Sequence, residues 1–127
     1  MSESFRASYG LIFVSVEVFG SQGSAVLRLA LETGATRTMI NSEHLVVIGC
    51  APNHDAEKVK VTTGSGVEFA PLVNLQRVVA LGQERMDLPV LAHTLPPTAG
   101  IDGLLGLDFL RDHKLEIDFR QGRLSLS

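Results

Sequence analysis

The chain has 127 residues, of which 45% are hydrophobic and 20% are charged, and its formal net charge is −3. This length and composition fit one globular domain and exclude a disordered chain. The acidic balance, without a cluster of Lys or Arg, argues against nucleic acid or an anionic membrane as the main partner. The first eight residues, MSESFRAS, are typical of a frayed tail or a linker remnant, and we assign residues 9–127 to the domain.

The N-terminal half is dominated by alternating apolar and polar residues, which is the pattern of half-buried strands. "YGLIFVSVEVFG" alternates and contains Glu17, so it predicts a strand rather than a membrane segment. "SQG" predicts a turn, and "SAVLRLAL" is the expected hairpin partner. "RTMI" predicts a short strand, and "NSEHLVVIGC" begins with cap-like residues that suit either a helical turn or a loop.

The C-terminal half continues the same pattern. "EKVKVTTGSGVEFAPLVNLQRVVAL" predicts two strands around a glycine-rich hairpin tip at residues 63–66. "GQERM" predicts a turn before the strand "DLPVLA", and "HTLPPTAGIDG" predicts a loop. "LLGLDFLRDH" is the one convincing helical segment, in which Asp108 either complements the helix dipole or accepts hydrogen bonds from a loop. "KLEIDF", "RQG" and "RLSLS" form a closing hairpin, so the chain is expected to be all-β, a small barrel or sandwich.

One carboxylate interrupts this pattern in "VLRLALETGATRTMI" (residues 26–40), where Glu32 stands between apolar residues and a glycine turn. A lone carboxylate in such a turn is usually a solvated loop residue or a cap. The later "TTGSG" lacks the Lys and the following helix of a phosphate-binding loop, so it is either a plain turn or a mobile flap.

Taken together, Glu32-Thr33-Gly34-Ala35, the tip "TTGSG" and the segment "GLLGLDFL" resemble the retropepsin-like aspartic peptidases in order and spacing. The resemblance covers residues 9–127 and implies a small closed β-barrel with one short C-terminal helix. It also implies peptide hydrolysis without a metal or cofactor. By resemblance, the catalytic residues are Glu32, Thr33 and Gly34, and the Thr33 hydroxyl locks two such loops together. Gly106 is expected to let the second apolar loop pass closely behind the first. The residues expected to bind substrate are Ala35, Thr63, Gly64, Ser65, Gly66 and Asp102.

Peptide hydrolysis without a metal or a covalent nucleophile needs two carboxyl groups. One, ionised, accepts a proton from water, while the other, protonated, donates to the carbonyl oxygen. This chain offers one such loop, because "VTTGSG" has Thr62 where an acid is needed and Asp102 has no Thr-Gly after it. One motif per chain implies a symmetric homodimer whose hairpin tips cover an extended peptide. We expect a soluble protein, with a slight preference for the cytoplasm, and no nucleic acid or membrane partner within this segment.

Glu32 departs from the family pattern, which has Asp at this position. The extra methylene moves the carboxylate by about 1.5 Å, the length of one C–C bond. Glu32 is therefore a natural variant with weak activity, a mark of a relative that binds without cutting, or an introduced substitution. The rival hypothesis is a noncatalytic peptide-binding or dimerisation module on the same fold, and a third is a small β-barrel binding domain unrelated to peptidases.

Overall fold

The computed structural model describes residues 2–6, 10–63, 66–96 and 99–127, and strands dominate this part of the chain. The strands are β1 (Ser2–Ser4), β2 (Phe13–Gly20), β3 (Gly23–Leu31), β4 (Met39–Asn41), β5 (Lys58–Thr63), β6 (Gly66–Ala80), β7 (Gln83–His93), β8 (Gly103–Leu105), β9 (Leu115–Asp118) and β10 (Arg123–Leu126). The helices are α1 (Ser42–Val47) and α2 (Leu107–Leu110). Within the described ranges, neither helix approaches the roughly 20 residues needed to span a bilayer.

Six of the strands close into a barrel, in the order β2-β3-β8-β4-β7-β6, and the pairing of β2 with β6 completes the ring. A smaller sheet of β1, β10 and β9 forms beside it. The predicted all-β fold with a small closed barrel is therefore confirmed. The described residues contain two short helices rather than one, because the segment after Asn41 adopts the helical alternative, with Asn41 as its cap.

The core follows from the alternation seen in the sequence. Val14, Val16 and Val18 of β2 are fully buried, and the residues between them face outward. Leu124 and Leu126 of β10 belong to the same apolar cluster, so the smaller sheet packs on the barrel instead of forming a separate unit.

The N-terminal residues do not form the frayed tail that their composition predicted. Ser2 and Ser4 pair with Ser125 and Arg123 of β10, and the Phe5 N–H donates to Gly122 at 2.7 Å. The prediction was wrong for residues 2–6 because their partner strand comes from the opposite end of the chain. Short polar segments carry no local sign of such a long-range pairing.

The hairpin between β6 and β7 turns earlier than predicted. Its turn consists of Leu81 (φ 53°) and Gly82 (φ 76°), with Ala80 paired to Gln83, so only the Gly of "GQERM" lies in the turn and residues 83–86 are strand. Two positive φ angles give the backbone twist that suits a two-residue hairpin. The signal was missed because Leu rarely adopts positive φ.

Candidate active site

Glu32 lies immediately after β3, where the chain turns toward β4. Its N–H donates to the Leu105 carbonyl at 2.9 Å, and its own carbonyl accepts from the Ala35 N–H at 3.2 Å. The carboxylate Oε1 accepts from the Gly34 N–H at 2.8 Å. A Cβ at position 34 would lie 2.9 Å from that oxygen, so glycine leaves room for the acid. The turn thus holds an exposed carboxylate through its own backbone.

A second loop, from β8 into α2, supports this turn from behind. The Leu107 N–H donates to the Ala35 carbonyl at 2.8 Å, and the Asp108 N–H donates to the Thr36 carbonyl at 3.2 Å. A Cβ added to Gly106 would lie 2.8 Å from the Ala35 oxygen, closer than side chains normally approach. The expectation that Gly106 lets the two loops pass closely is confirmed.

Thr38 joins the two loops, and sequence reasoning missed it. Its N–H and hydroxyl donate to the two Asp108 carboxylate oxygens at 2.9 and 2.7 Å, and its Oγ1 accepts from the Gly106 N–H at 3.1 Å. Of the two roles expected for Asp108, the structure therefore shows that of an acceptor of hydrogen bonds from a loop. The alternating pattern could have identified Thr38, because it places Thr38 on the inward face of its strand segment together with Ile40. A hydroxyl buried in this way needs hydrogen-bond partners.

We expect Thr38→Val to lower the free energy of unfolding by about 2 kcal/mol, because it removes the hydroxyl that donates to Asp108 Oδ1 and accepts from the Gly106 N–H, while the backbone bond from position 38 to Asp108 remains. Urea unfolding followed by circular dichroism measures the change. Thr36→Val is the matched control, since Thr36 is exposed and uses only its backbone. Equal stability of the two variants would show that the Thr38 contacts do not hold the loops together.

Thr33 and Gly34 are exposed at the tip of the Glu32 turn. No hydrogen bond joins the Thr33 hydroxyl to another described residue. An exposed, unpartnered hydroxyl beside the acid is compatible with a contact to a second chain. The catalytic roles assigned to these residues stay predictions.

Among the described residues, the β5 arm of the predicted hairpin pairs with β6 alone. The last described pair of this hairpin is Thr63 with Gly66, which agrees with the predicted position of the tip. Gly64 and Ser65 lie outside the described residues. The expectation that the tip covers a substrate stays a prediction.

A cavity of about 600 Å³ lies between the Glu32 turn and the β5 arm. Its lining consists of Glu32, Gly34, Ala35, Thr36, Arg37, Met39, Val59, Lys60, Val61, Leu91 and Leu104. This volume lies within the roughly 300–1,000 Å³ of typical ligand pockets. Among the described residues that line it, Glu32 is the only carboxylate. The metal-free mechanism needs a second carboxyl group, which this cavity wall does not supply.

Asp102, which we expected to bind substrate, does not line this cavity. Its Oδ2 accepts from the Arg28 N–H at 2.8 Å, and its Oδ1 lies 3.0 Å from His44 Nε2. Its backbone also bonds to Arg28 and Asn41. The carboxylate therefore ties β3 to α1, and its position gives no support to a role in substrate binding.

Comparison with known proteins agrees with this geometry. The structure resembles the crystal structure of a retropepsin-like aspartic protease from Rickettsia conorii, with a TM-score of 0.71 and 20% identity, over 99% of this chain and 88% of that one. It also resembles the EIAV protease complexed with the inhibitor HBY-793, with a TM-score of 0.56 and 15% identity, over 83% of this chain and 92% of that one. At such identities these likenesses show the fold.

No curated protein matches the sequence. The family model described as aspartyl protease matches residues 14–109, which include the Glu32 turn, the hairpin and the second loop. Because this match spans most of the chain, the protein belongs to the aspartyl protease family.

Proposed function

We propose that this protein is an aspartic-type endopeptidase of the retropepsin type, which hydrolyses peptide bonds as a homodimer. The observation that carries the proposal is the position of Glu32. It is an exposed carboxylate on a turn braced by a second loop, and it opens onto a cavity of about 600 Å³. A second copy of the same turn would supply the second carboxyl group.

In the proposed reaction, one Glu32 is ionised and accepts a proton from water as the water oxygen bonds to the peptide carbonyl carbon. The partner's Glu32 is protonated and donates to the carbonyl oxygen. Collapse of the tetrahedral intermediate breaks the C–N bond. The first Glu32 passes its proton to the leaving nitrogen, and a hydroxyl of the intermediate returns a proton to the partner's Glu32, which restores the starting state of the two acids. Two carboxyl groups close together favour this arrangement, because they cannot both be ionised.

The dimer proposal rests on what the single chain leaves exposed. Thr33 and Gly34 lie at the outer tip of the turn. A two-fold axis through this tip would bring both acids together and let each Thr33 hydroxyl bond to the facing loop. Such an arrangement makes the site incomplete in a monomer.

The cavity suits a peptide in extended form. Ala35 forms part of the wall beside Glu32, and Val59 and Val61 of β5 form the opposite wall. We propose that Thr63, Gly64, Ser65 and Gly66 form a flap that closes over the bound peptide. Closure of a hairpin over the peptide would separate the reacting carbonyl and its attacking water from bulk solvent.

Glu32→Ala is expected to abolish cleavage of an unfolded protein substrate, because it removes both acids of the dimer. Peptide products are measured by mass spectrometry across mildly acidic to neutral pH, and sedimentation measures the dimer. Glu116→Ala is the control, since Glu116 is an exposed acid of β9 that pairs only with Lys114. Undiminished cleavage by Glu32→Ala would refute the assigned site. Peptide binding without turnover in any variant would favour the noncatalytic module.

A further inference from the structure

The cavity beside Glu32 contains a cation, Arg37, that forms no ion pair with another described residue. Arg37 follows Glu32 by five residues and lines the same cavity, with its side chain half-buried. Its backbone packs closely against the second loop, since a Cβ on Gly106 would lie 2.7 Å from the Arg37 carbonyl carbon.

The ion pairs of the described residues lie elsewhere. Four of them join His44 to Asp102, Arg77 to Glu84, His93 to Glu68, and Lys114 to Glu116. None of them includes Arg37, and the Arg37 guanidinium forms no hydrogen bond with another described residue. Glu32 lines the same cavity but forms no ion pair with Arg37. A half-buried guanidinium loses part of its hydration, so an anionic partner would stabilise it.

The rest of the cavity suggests what that partner is. Its walls are mainly apolar, from Ala35, Met39, Val59, Val61, Leu91 and Leu104. In an extended peptide, successive side chains point to opposite sides, so one peptide can fill an apolar wall and still direct another side chain at a cation. The planar guanidinium matches a carboxylate in a two-bond geometry that a Lys ammonium does not reproduce.

We infer that Arg37 determines specificity by binding an acidic side chain of the substrate, so that cleavage favours peptides with Glu or Asp a few residues from the scissile bond. This inference rests on the proposed peptidase function for its catalytic consequence. The second cation of the cavity, Lys60, is exposed and stands on the β5 arm, so we assign it a lesser role.

The test uses a series of apolar peptides in which Glu, or Gln as its neutral counterpart, is placed at each position from three residues before to three after the cleaved bond. At one or two positions, kcat/KM for the Glu peptide is expected to exceed that for the Gln peptide by about tenfold, the effect of a partly buried charged hydrogen bond. Arg37→Gln is expected to reduce that ratio to about one. Arg37→Glu should invert the preference toward a Lys peptide, and Lys60→Gln should change the ratio by less than about twofold.

A binding measurement keeps the two proposals separable. Fluorescence anisotropy on the Glu32→Ala chain compares a labelled Glu peptide with its Gln counterpart, and we expect an approximately tenfold lower Kd that Arg37→Gln removes. Cleavage that depends on Glu32 but not on the acidic side chain or Arg37 would overturn this inference and leave the peptidase proposal intact. Arg37-dependent binding of acidic peptides without cleavage would support the inference and refute the peptidase. Equal Kd values for both peptides would also overturn the inference.

Discussion

Glu32→Asp is expected to increase the rate of peptide cleavage by roughly a hundredfold over the chain with Glu, because displacements near 1 Å at a reacting centre carry costs of that size. The Glu carboxylate lies one C–C bond farther from its backbone than an Asp carboxylate would. In a homodimer both chains carry this extra length, so the two acids meet in a more crowded space. The measurement is kcat/KM on a common peptide at mildly acidic pH.

The controls for this prediction separate geometry from charge. Glu32→Gln keeps the length of the side chain and removes its proton chemistry, so it should not cleave. Glu32→Asp keeps the charge, and circular dichroism should show the same fold for both variants. If Glu32→Asp cleaves no faster than the chain with Glu, the site is built for the longer acid and the assumed steric penalty is wrong.

Gly103→Ala is expected to lower the free energy of unfolding by about 3 kcal/mol, at the upper end of what overpacking usually costs. Gly103 is buried in β8, between β3 and β4. A Cβ there would overlap the Met39 carbonyl oxygen, which is backbone and cannot rotate away. The two strands must separate, and the second loop then moves away from the Glu32 turn.

Gly10→Ala provides the matched control, since no described atom outside Gly10 and its chain neighbours lies within 4 Å of the position its Cβ would take. Urea unfolding should leave this control within about 0.5 kcal/mol of the unmodified chain, as for most surface substitutions. Expression of Gly103→Ala only as insoluble protein, while Gly10→Ala is soluble, would equally show that a Cβ at position 103 destabilises the fold. A loss below about 1 kcal/mol for Gly103→Ala would contradict the packing of β8 on β4.

Several parts of the site were readable from the sequence because they depend on neighbours along the chain. The turn at Glu32 follows from a strand pattern that stops at an acid and a glycine, and the structure shows the bond from the Gly34 N–H that this glycine permits. The hairpin around residues 63–66 follows from alternation on both sides of glycines. Gly106 was expected to let the second loop pass closely behind the first, and the structure leaves no space for a side chain at that position.

Other parts depend on contacts between segments that are distant in sequence. Thr38 looked like an ordinary strand residue until Asp108, seventy residues later, supplied its partner. Asp102 looked like a cleft residue because it precedes the second loop, yet β3 and α1 hold its carboxylate. Nothing in the sequence singled out Arg37, and its position in the cavity wall beside Glu32 depends on how the strands pack.

The sequence by itself determined the strands, the hairpins and the position of the acid, because periodicity and turn chemistry act over a few residues. It also determined the family, through three short segments in a fixed order. Only the tertiary structure decided how the barrel closes, which strand takes up the N-terminal residues, and which polar groups brace the two loops. Those choices depend on pairings between distant segments, whose free energies are realised only when the whole chain is packed.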